Sequence, residues 1–376
     1  MDQVNFFSAD YRDGRVRIGS KTYPAGYYCV HLLNQYYKDD TVARLSVFTH
    51  RNEQLQAELK AGYLNPSDFT KAGEEILHVF HALPWLKPFD VLDIEAERNR
   101  VVKLFTQENA EILTSYIQRR AVIGNMDEGQ VLLHVIPPAY NKEFFEEAQK
   151  LLDGVMDTLH FYETLGDNVQ DAFYQLRKFV TRVDEAERLD EAHLLPIALE
   201  VFGKFPLPVT TEYVPYKKNS KSKSEVVARR LYFDSYYSFI VTDFFEGLHY
   251  GHYPRPCEIC ENYFLMTSAR RQRYCSGMSP YTFRGKQLTC KKYAATINRK
   301  ELAAADPVVD IYNRRCGAIR SEKSRGTITE AFAAKAKELA REHKLQAQED
   351  SIYANTQYSL DMKRDALYEE TEKHLA

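Results

Sequence analysis

The chain has 376 residues, 44% of them apolar, with 26 tyrosines and 21 phenylalanines. That supplies a core for two or three domains and excludes a wholly disordered chain. Net charge is −3, so no global basicity announces a polyanionic partner, and no run approaches the ~18 apolar residues of a membrane span.

The opening residues, MDQVNFFSADYRDGRVR, show no basic start followed by an apolar core. No secretory leader is read there, and the chain is expected in the cytoplasm, where thiols stay reduced. In chain order, VRIGSKTYPAG reads as a strand ending in a Pro-Ala-Gly turn, and QVLLHVIPP as a second strand. VHLLNQYYKDD, ENAEILTSYIQRRA and NKEFFEEAQKLLDGVMDTLHFYETLG carry apolar residues at helical spacing. The last of these is expected to start after Pro137 and Pro138, with Asn141 as its cap. Trp85, the one tryptophan, lies in LPWLKPF and is read as anchoring a loop on the core. Residues 1–216 are therefore expected to form a mainly helical domain with minor β structure.

The polar, basic stretch KKNSKSKS at 217–224 reads as an exposed linker. Ser222 and Glu225 form a capping-box pattern, so a helix is expected over 225–250. Its apolar stripe is Val226, Phe233, Tyr237, Ile240, Phe244 and Leu248, widened by Leu231 and Phe245. Gly251 and Pro254 end it and deliver the chain into Cys257. Beyond the cysteines, KKYAATINRKELAAA and DPVVDIYNRRCGAIR read as helices separated at Asp306-Pro307. Thr327 and Glu330 suggest a capping box for a further helix, and the polar tail from Glu349 reads as ancillary. The expected fold class is mainly α, or α+β. A small module over 225–326 would follow the linker, with C-terminal helices over 327–376.

The sharpest chemical signal is Cys257-x2-Cys260-x14-Cys275-x14-Cys290. A C-x2-C pair lets two thiolates converge on one metal from a tight knuckle, and two more complete a tetrahedral shell. Cys257, Cys260, Cys275 and Cys290 are thus assigned to one structural Zn²⁺. ENYFLMTSARRQRY is expected to form two short strands with the tip at Arg270 to Arg273, Phe264 inward and Cys275 closing the second. Cys290 is expected at a helix start, where the dipole favours a thiolate. Knuckle, hairpin and helix describe a treble-clef-like finger, with SGMSPYTFRGKQLT looped out between the last two ligands. Cys29 and Cys316 are read as core thiols, and His249 and His252 as superfluous to a complete shell.

The pattern C-x2-C-x3-F, an Arg-rich turn with YCS, and C-K-x-Y-A on a helix resembles the finger of bacterial proteins grouped as the DUF6076 family. It is also similar to the finger of CGNR-type bacterial regulators, although the C-G-N-R tetrapeptide is absent. The similarity spans about 225–345. For DUF6076 it implies zinc binding and no known reaction.

Charge is unevenly distributed. From Arg255 to Gly326 there are 15 Lys and Arg against 6 Asp and Glu, a local +9 that leaves −12 for the remainder. Such a basic module suggests a polyanion, DNA or RNA, gripped by Arg270, Arg271, Arg273, Arg284, Lys286, Lys291 and Lys292. The alternative is a protein-interaction scaffold in which zinc only locks the module together. Catalysis is not expected. There is no phosphate loop, G-x-G-x-x-G, G-x-S-x-G or H-E-x-x-H. A deaminase would need H-x-E beside Pro256-Cys257-x2-Cys260. A finger nuclease would need histidine partners that Asn262 and Asn298 lack. Glu146-Glu147 and Glu369-Glu370 read as solvated pairs.

Overall fold

A computed structural model describes residues 7–38, 44–45, 49–124, 142–203, 207, 209–217, 224–268 and 272–375. The fold is mainly helical with small sheets, as expected. The chain divides into two compact units, Met1–Arg273 and Tyr274–Ala376.

The first unit is built on a five-stranded antiparallel sheet of order β3-β2-β1-β5-β4. Three of its strands come from the N-terminus: β1 (Ser8–Arg12), β2 (Arg15–Ile18) and β3 (Lys21–Pro24). The other two, β4 (Val209–Tyr216) and β5 (Val226–Phe233), lie some 200 residues later. Asp10 ties the centre together: its carboxylate accepts from Arg17 at 2.7 Å and from Arg230 at 2.8 Å, one on each neighbouring strand.

Helices cover the apolar face. They are α1 (Tyr27–Gln35), α2 (Thr49–Ala61), α3 (Pro66–Val79), α4 (Ile94–Leu104), α5 (Gln107–Gly124), α6 (Lys142–Arg182), α7 (Glu191–Phe202) and α8 (Tyr236–His249). Starts follow local chemistry. Asn65 accepts from the Ser67 amide ahead of α3, and Asp190 accepts from the His193 amide ahead of α7. The 41-residue α6 buries Val155, Leu159, Tyr162, Leu165, Val169, Phe173 and Leu176, a stripe at three- and four-residue spacing. Phe7, Phe89, Phe161, Phe233 and Phe239 meet in the core, in edge-on, stacked and tilted pairs.

Several expectations are corrected. The first half of the helix expected at 225–250 is strand β5, which pairs with β1 and β4. Leu231 and Phe233 alternate into the core, and the break falls at Ser235, whose hydroxyl accepts from the Ser238 amide and starts α8. Trp85 does not anchor its loop: it is half exposed, whereas Leu83 and Leu86 beside it are buried. VRIGSKTYPAG folds as the β2–β3 hairpin rather than as one strand. The strand expected at QVLLHVIPP, with Pro137, Pro138 and the Asn141 cap, lies outside the described residues, as do Ser222 and most of the basic stretch. That stretch connects two paired strands of one sheet.

The second unit carries β8 (Met278–Phe283) and β9 (Lys286–Thr289), then α9 (Cys290–Ala305), α10 (Pro307–Ser324) and α11 (Glu330–Glu349). Asp306 caps α10 by accepting from Val309, with Pro307 in the first turn, so this boundary falls where expected. The cap of α11 is Thr329, which accepts from Phe332, not Thr327. The tail is more than ancillary. Three short helices, α12 (Ser351–Thr356), α13 (Tyr358–Asp361) and α14 (Arg364–Leu375), bury Tyr358, Met362 and Leu367 against Ile319, Ala336 and Leu339.

Candidate metal centre

Two hairpins position the four cysteines. The first is formed by β6 (Tyr253–Pro256) and β7 (Tyr263–Met266), with Pro256 opposite Tyr263 as its last pair. The chain between them turns back sharply. The Cys257 amide donates to Asn262 O at 3.0 Å, and Cys257 O accepts from Glu261 at 2.8 Å. Glu261 takes a left-handed φ of 60° to close this turn. The C-x2-C pair is therefore the tip of a β hairpin, which corrects the expected strand arrangement. The strand containing Phe264 pairs with the segment before the knuckle, not with residues after it, and Phe264 packs on the main core. Cys275 lies in no strand.

Downstream, the Glu258 amide donates to Arg273 O at 3.1 Å, and Arg273 Nε donates to Glu258 Oε1 at 2.5 Å. These contacts hold the approach to Cys275 alongside the knuckle. The 14-residue gap to Cys290 is spanned by hairpin β8–β9, in which Met278 is paired with Thr289. At its base the Cys290 amide donates to Gly277 O at 2.9 Å. Zipping that hairpin returns the chain to its starting point, so a long spacing brings Cys290 back beside Cys275. A Cβ on Gly277 would stand 3.4 Å from Cys275 Sγ, so the turn wraps closely around this sulphur.

The four Sγ atoms all lie within 4.8 Å of one another. Cys257, Cys275 and Cys290 are buried, and Cys260 is half-buried. Tetrahedral zinc–thiolate bonds of about 2.3 Å place sulphurs roughly 3.8 Å apart, so the cluster has the donors and the proximity to hold one metal ion. Cys290 opens α9, as expected. The remaining thiols are separate: Cys29 is fully buried and donates to Ile240 O, and Cys316 is buried on α10. His249 and His252 are engaged elsewhere, the first with Glu191 Oε1 and the second with Ala25 O, each at 3.1 Å.

Arg270 and Arg271 lie outside the described residues. Arg273 is ion-paired with Glu258. Arg284, at φ 50°, turns the β8–β9 hairpin, its guanidinium 5.5 Å from the Phe283 ring centroid. Lys286 is exposed at the start of β9, and Lys291 and Lys292 are exposed in the first turn of α9. An aromatic pair lies alongside: Tyr281 stacks on Tyr293 at 5.6 Å and is half exposed. No sequence argument singled it out, although alternation along SPYTF would have placed Tyr281 and Phe283 on one strand face.

Among the described residues, no helix is long and apolar enough to cross a membrane. Residues 204–374 match a family of unknown function, DUF6076. The match takes in the knuckle, both hairpins and the C-terminal helices, and it bears out the resemblance of the finger's residues to that family. No curated protein and no solved structure matches the chain.

Proposed function

We propose that Cys257, Cys260, Cys275 and Cys290 hold one structural Zn²⁺, and that the protein contacts nucleic acid through cationic side chains beside this centre, as a regulator would. The observation that carries the metal assignment is the convergence of four sulphurs within 4.8 Å. Four soft donors favour zinc among common cytosolic ions, and a closed shell leaves no coordination position for substrate. The ion would lock two hairpins and the start of α9 in place. Arg284, Lys286, Lys291 and Lys292 are exposed, and among the described residues none is ion-paired. Phosphate contact is what such side chains do best.

A scaffold reading draws on a different observation. Four thiolates and one Zn²⁺ carry a formal charge of about −2, which lysines in the adjoining helical turn would offset, and Arg273 is already paired within the finger. Oligonucleotide retention at low and high salt separates the two. Nucleic-acid contact requires affinity that falls with salt, by about 0.9 in the log–log slope per phosphate on duplex DNA. No retention at low salt would leave the scaffold reading.

A further inference from the structure

Helices α9 and α10 enclose a groove of about 660 Å³ within the second unit. Asn298 and Arg299 line it from α9, and Asn313, Arg314, Gly317 and Arg320 from α10. On α10 these residues recur at three- and four-residue spacing, so they form one helical face. The core-facing side of that helix is elsewhere, holding the buried Cys316 and Ile319. The lining is cationic. Its one carboxylate, Asp310, is ion-paired with Arg314. Among the described residues, neither Arg299 nor Arg320 forms a salt bridge, and Arg320 Nε donates to Cys316 O of its own helix.

Two further features point to a ligand. Lys291 and Lys292 precede Asn298 and Arg299 by seven residues each, two helical turns, and so lie on the same face of α9. Gly317 sits inside a helix, where glycine costs about 1 kcal/mol against alanine. A Cβ there would meet nothing within 4 Å. Packing therefore does not require glycine at this position; its effect is to keep the groove floor clear.

We propose that the α9–α10 groove is a phosphate track, which takes the backbone of a nucleic-acid strand led in by Lys291 and Lys292. This inference rests on the nucleic-acid reading above. Planar guanidiniums bind phosphate oxygens in bidentate fashion, and the Asn298 and Asn313 amides add donors for phosphate or sugar. Charge compensation of the metal centre explains Lys291 and Lys292 but not Arg299 and Arg320, which lie further along the helices.

The test uses the full-length, zinc-loaded protein with labelled single-stranded and duplex oligonucleotides, followed by fluorescence anisotropy across a salt series. One variant combines Arg299→Ala with Arg320→Ala. A second, Gly317→Leu, blocks the groove with every charge retained and improves helix propensity, so it is expected to fold. Each should weaken binding about tenfold with zinc content unchanged, and the double arginine variant should also lower the salt slope by about 1.4–1.8. If the wild type binds and the folded variants bind equally well, the groove is not the track, while the nucleic-acid reading stands. If the wild type binds neither oligonucleotide at low salt, both readings fall. Retention of inorganic pyrophosphate in place of the oligonucleotides would overturn the nucleic-acid assignment of the groove.

Discussion

The Tyr28 amide donates to Asp243 Oδ2 at 3.1 Å, across 215 residues of sequence. Helix α1 begins after Gly26, which stands at φ 87° and has no side chain to cap it. The acceptor is supplied instead from the middle of α8 by a fully buried carboxylate. Asp243 thus fastens the first helix to the helix that leads into the β6–β7 hairpin and the knuckle.

This arrangement predicts a pH dependence of stability. Burial raises the Asp243 pKa to about 7, partly opposed by hydrogen bonds from the Gly26 and Tyr28 amides. In the unfolded chain the same group titrates near 3.9. Between these values the native state holds a proton that the unfolded state has released, so stability should fall as pH rises from about 4 to about 7 and level off above. Asp243→Asn keeps an acceptor and removes the titration. Its denaturation midpoint should therefore lose this group's share of the slope, on the order of 1–4 kcal/mol across the window. An undiminished slope in the variant would assign the effect to other groups. Asp243→Ala should instead cost about 1–3 kcal/mol at low pH, because the α1 amide loses its acceptor.

Gly247, one turn further along α8, predicts a pair of opposite outcomes. A Cβ there would stand 2.9 Å from Ala25 O and 3.1 Å from Gly26 Cα, both backbone atoms that cannot swing aside. Gly247→Ala should lower stability by about 1–3 kcal/mol despite alanine's better helix propensity. Gly317→Ala, made in open space, should raise it by up to about 1 kcal/mol. Thermal melts of the two variants check both signs.

The buried Glu97 predicts a larger loss. It receives Arg100 Nε and Nη2 at 2.6 Å each and the Tyr162 hydroxyl at 3.1 Å, which joins α4 to the long helix α6. Arg100 Nη1 also donates to Thr158 on α6. Glu97→Ala leaves a guanidinium and a phenol without their acceptor, and should cost about 3 kcal/mol. That is the low end for a broken buried pair, because Arg100 is partly exposed. Glu97→Gln, which keeps an acceptor, should cost less; equal losses would mean that packing, not the ion pair, holds the contact.

The sequence made the centre more legible than its surroundings, and the difference is physical. Ligand spacing is local chemistry, so the four cysteines and the helix start at Cys290 followed from residue order alone. Strand β5 did not. Its partners on β1 lie about 220 residues away, and its apolar residues happen to share a stripe with those of α8. The signal that would have parted them is Asp234-Ser235, a cap inside an apparently continuous pattern. The β6–β7 hairpin stayed hidden for a related reason: Gly251 and Pro254 suggested an exit from a helix, whereas prolines are also tolerated on an edge strand. Trp85 lies between prolines in LPWLKPF, a setting that suggests a loop anchor, yet the smaller Leu83 and Leu86 are the side chains that fill the core.

The metal assignment predicts different results for cysteines that look alike in composition. Cys290→Ser and Cys257→Ser should each abolish stoichiometric zinc. Binding of a structural zinc contributes roughly 10–16 kcal/mol at neutral pH, so its loss should unfold the finger and the start of α9. Cys316→Ala removes another buried thiol of the second unit and should leave zinc at one per chain, with an ordinary cost of about 1 kcal/mol. Cys29→Ser, far from the knuckle in sequence and bonded to Ile240 O, should likewise retain the ion. Elemental analysis of the four purified variants settles the set. Zinc retained by Cys290→Ser, or lost from Cys316→Ala, would place the ion on a ligand set other than the four sulphurs that converge here.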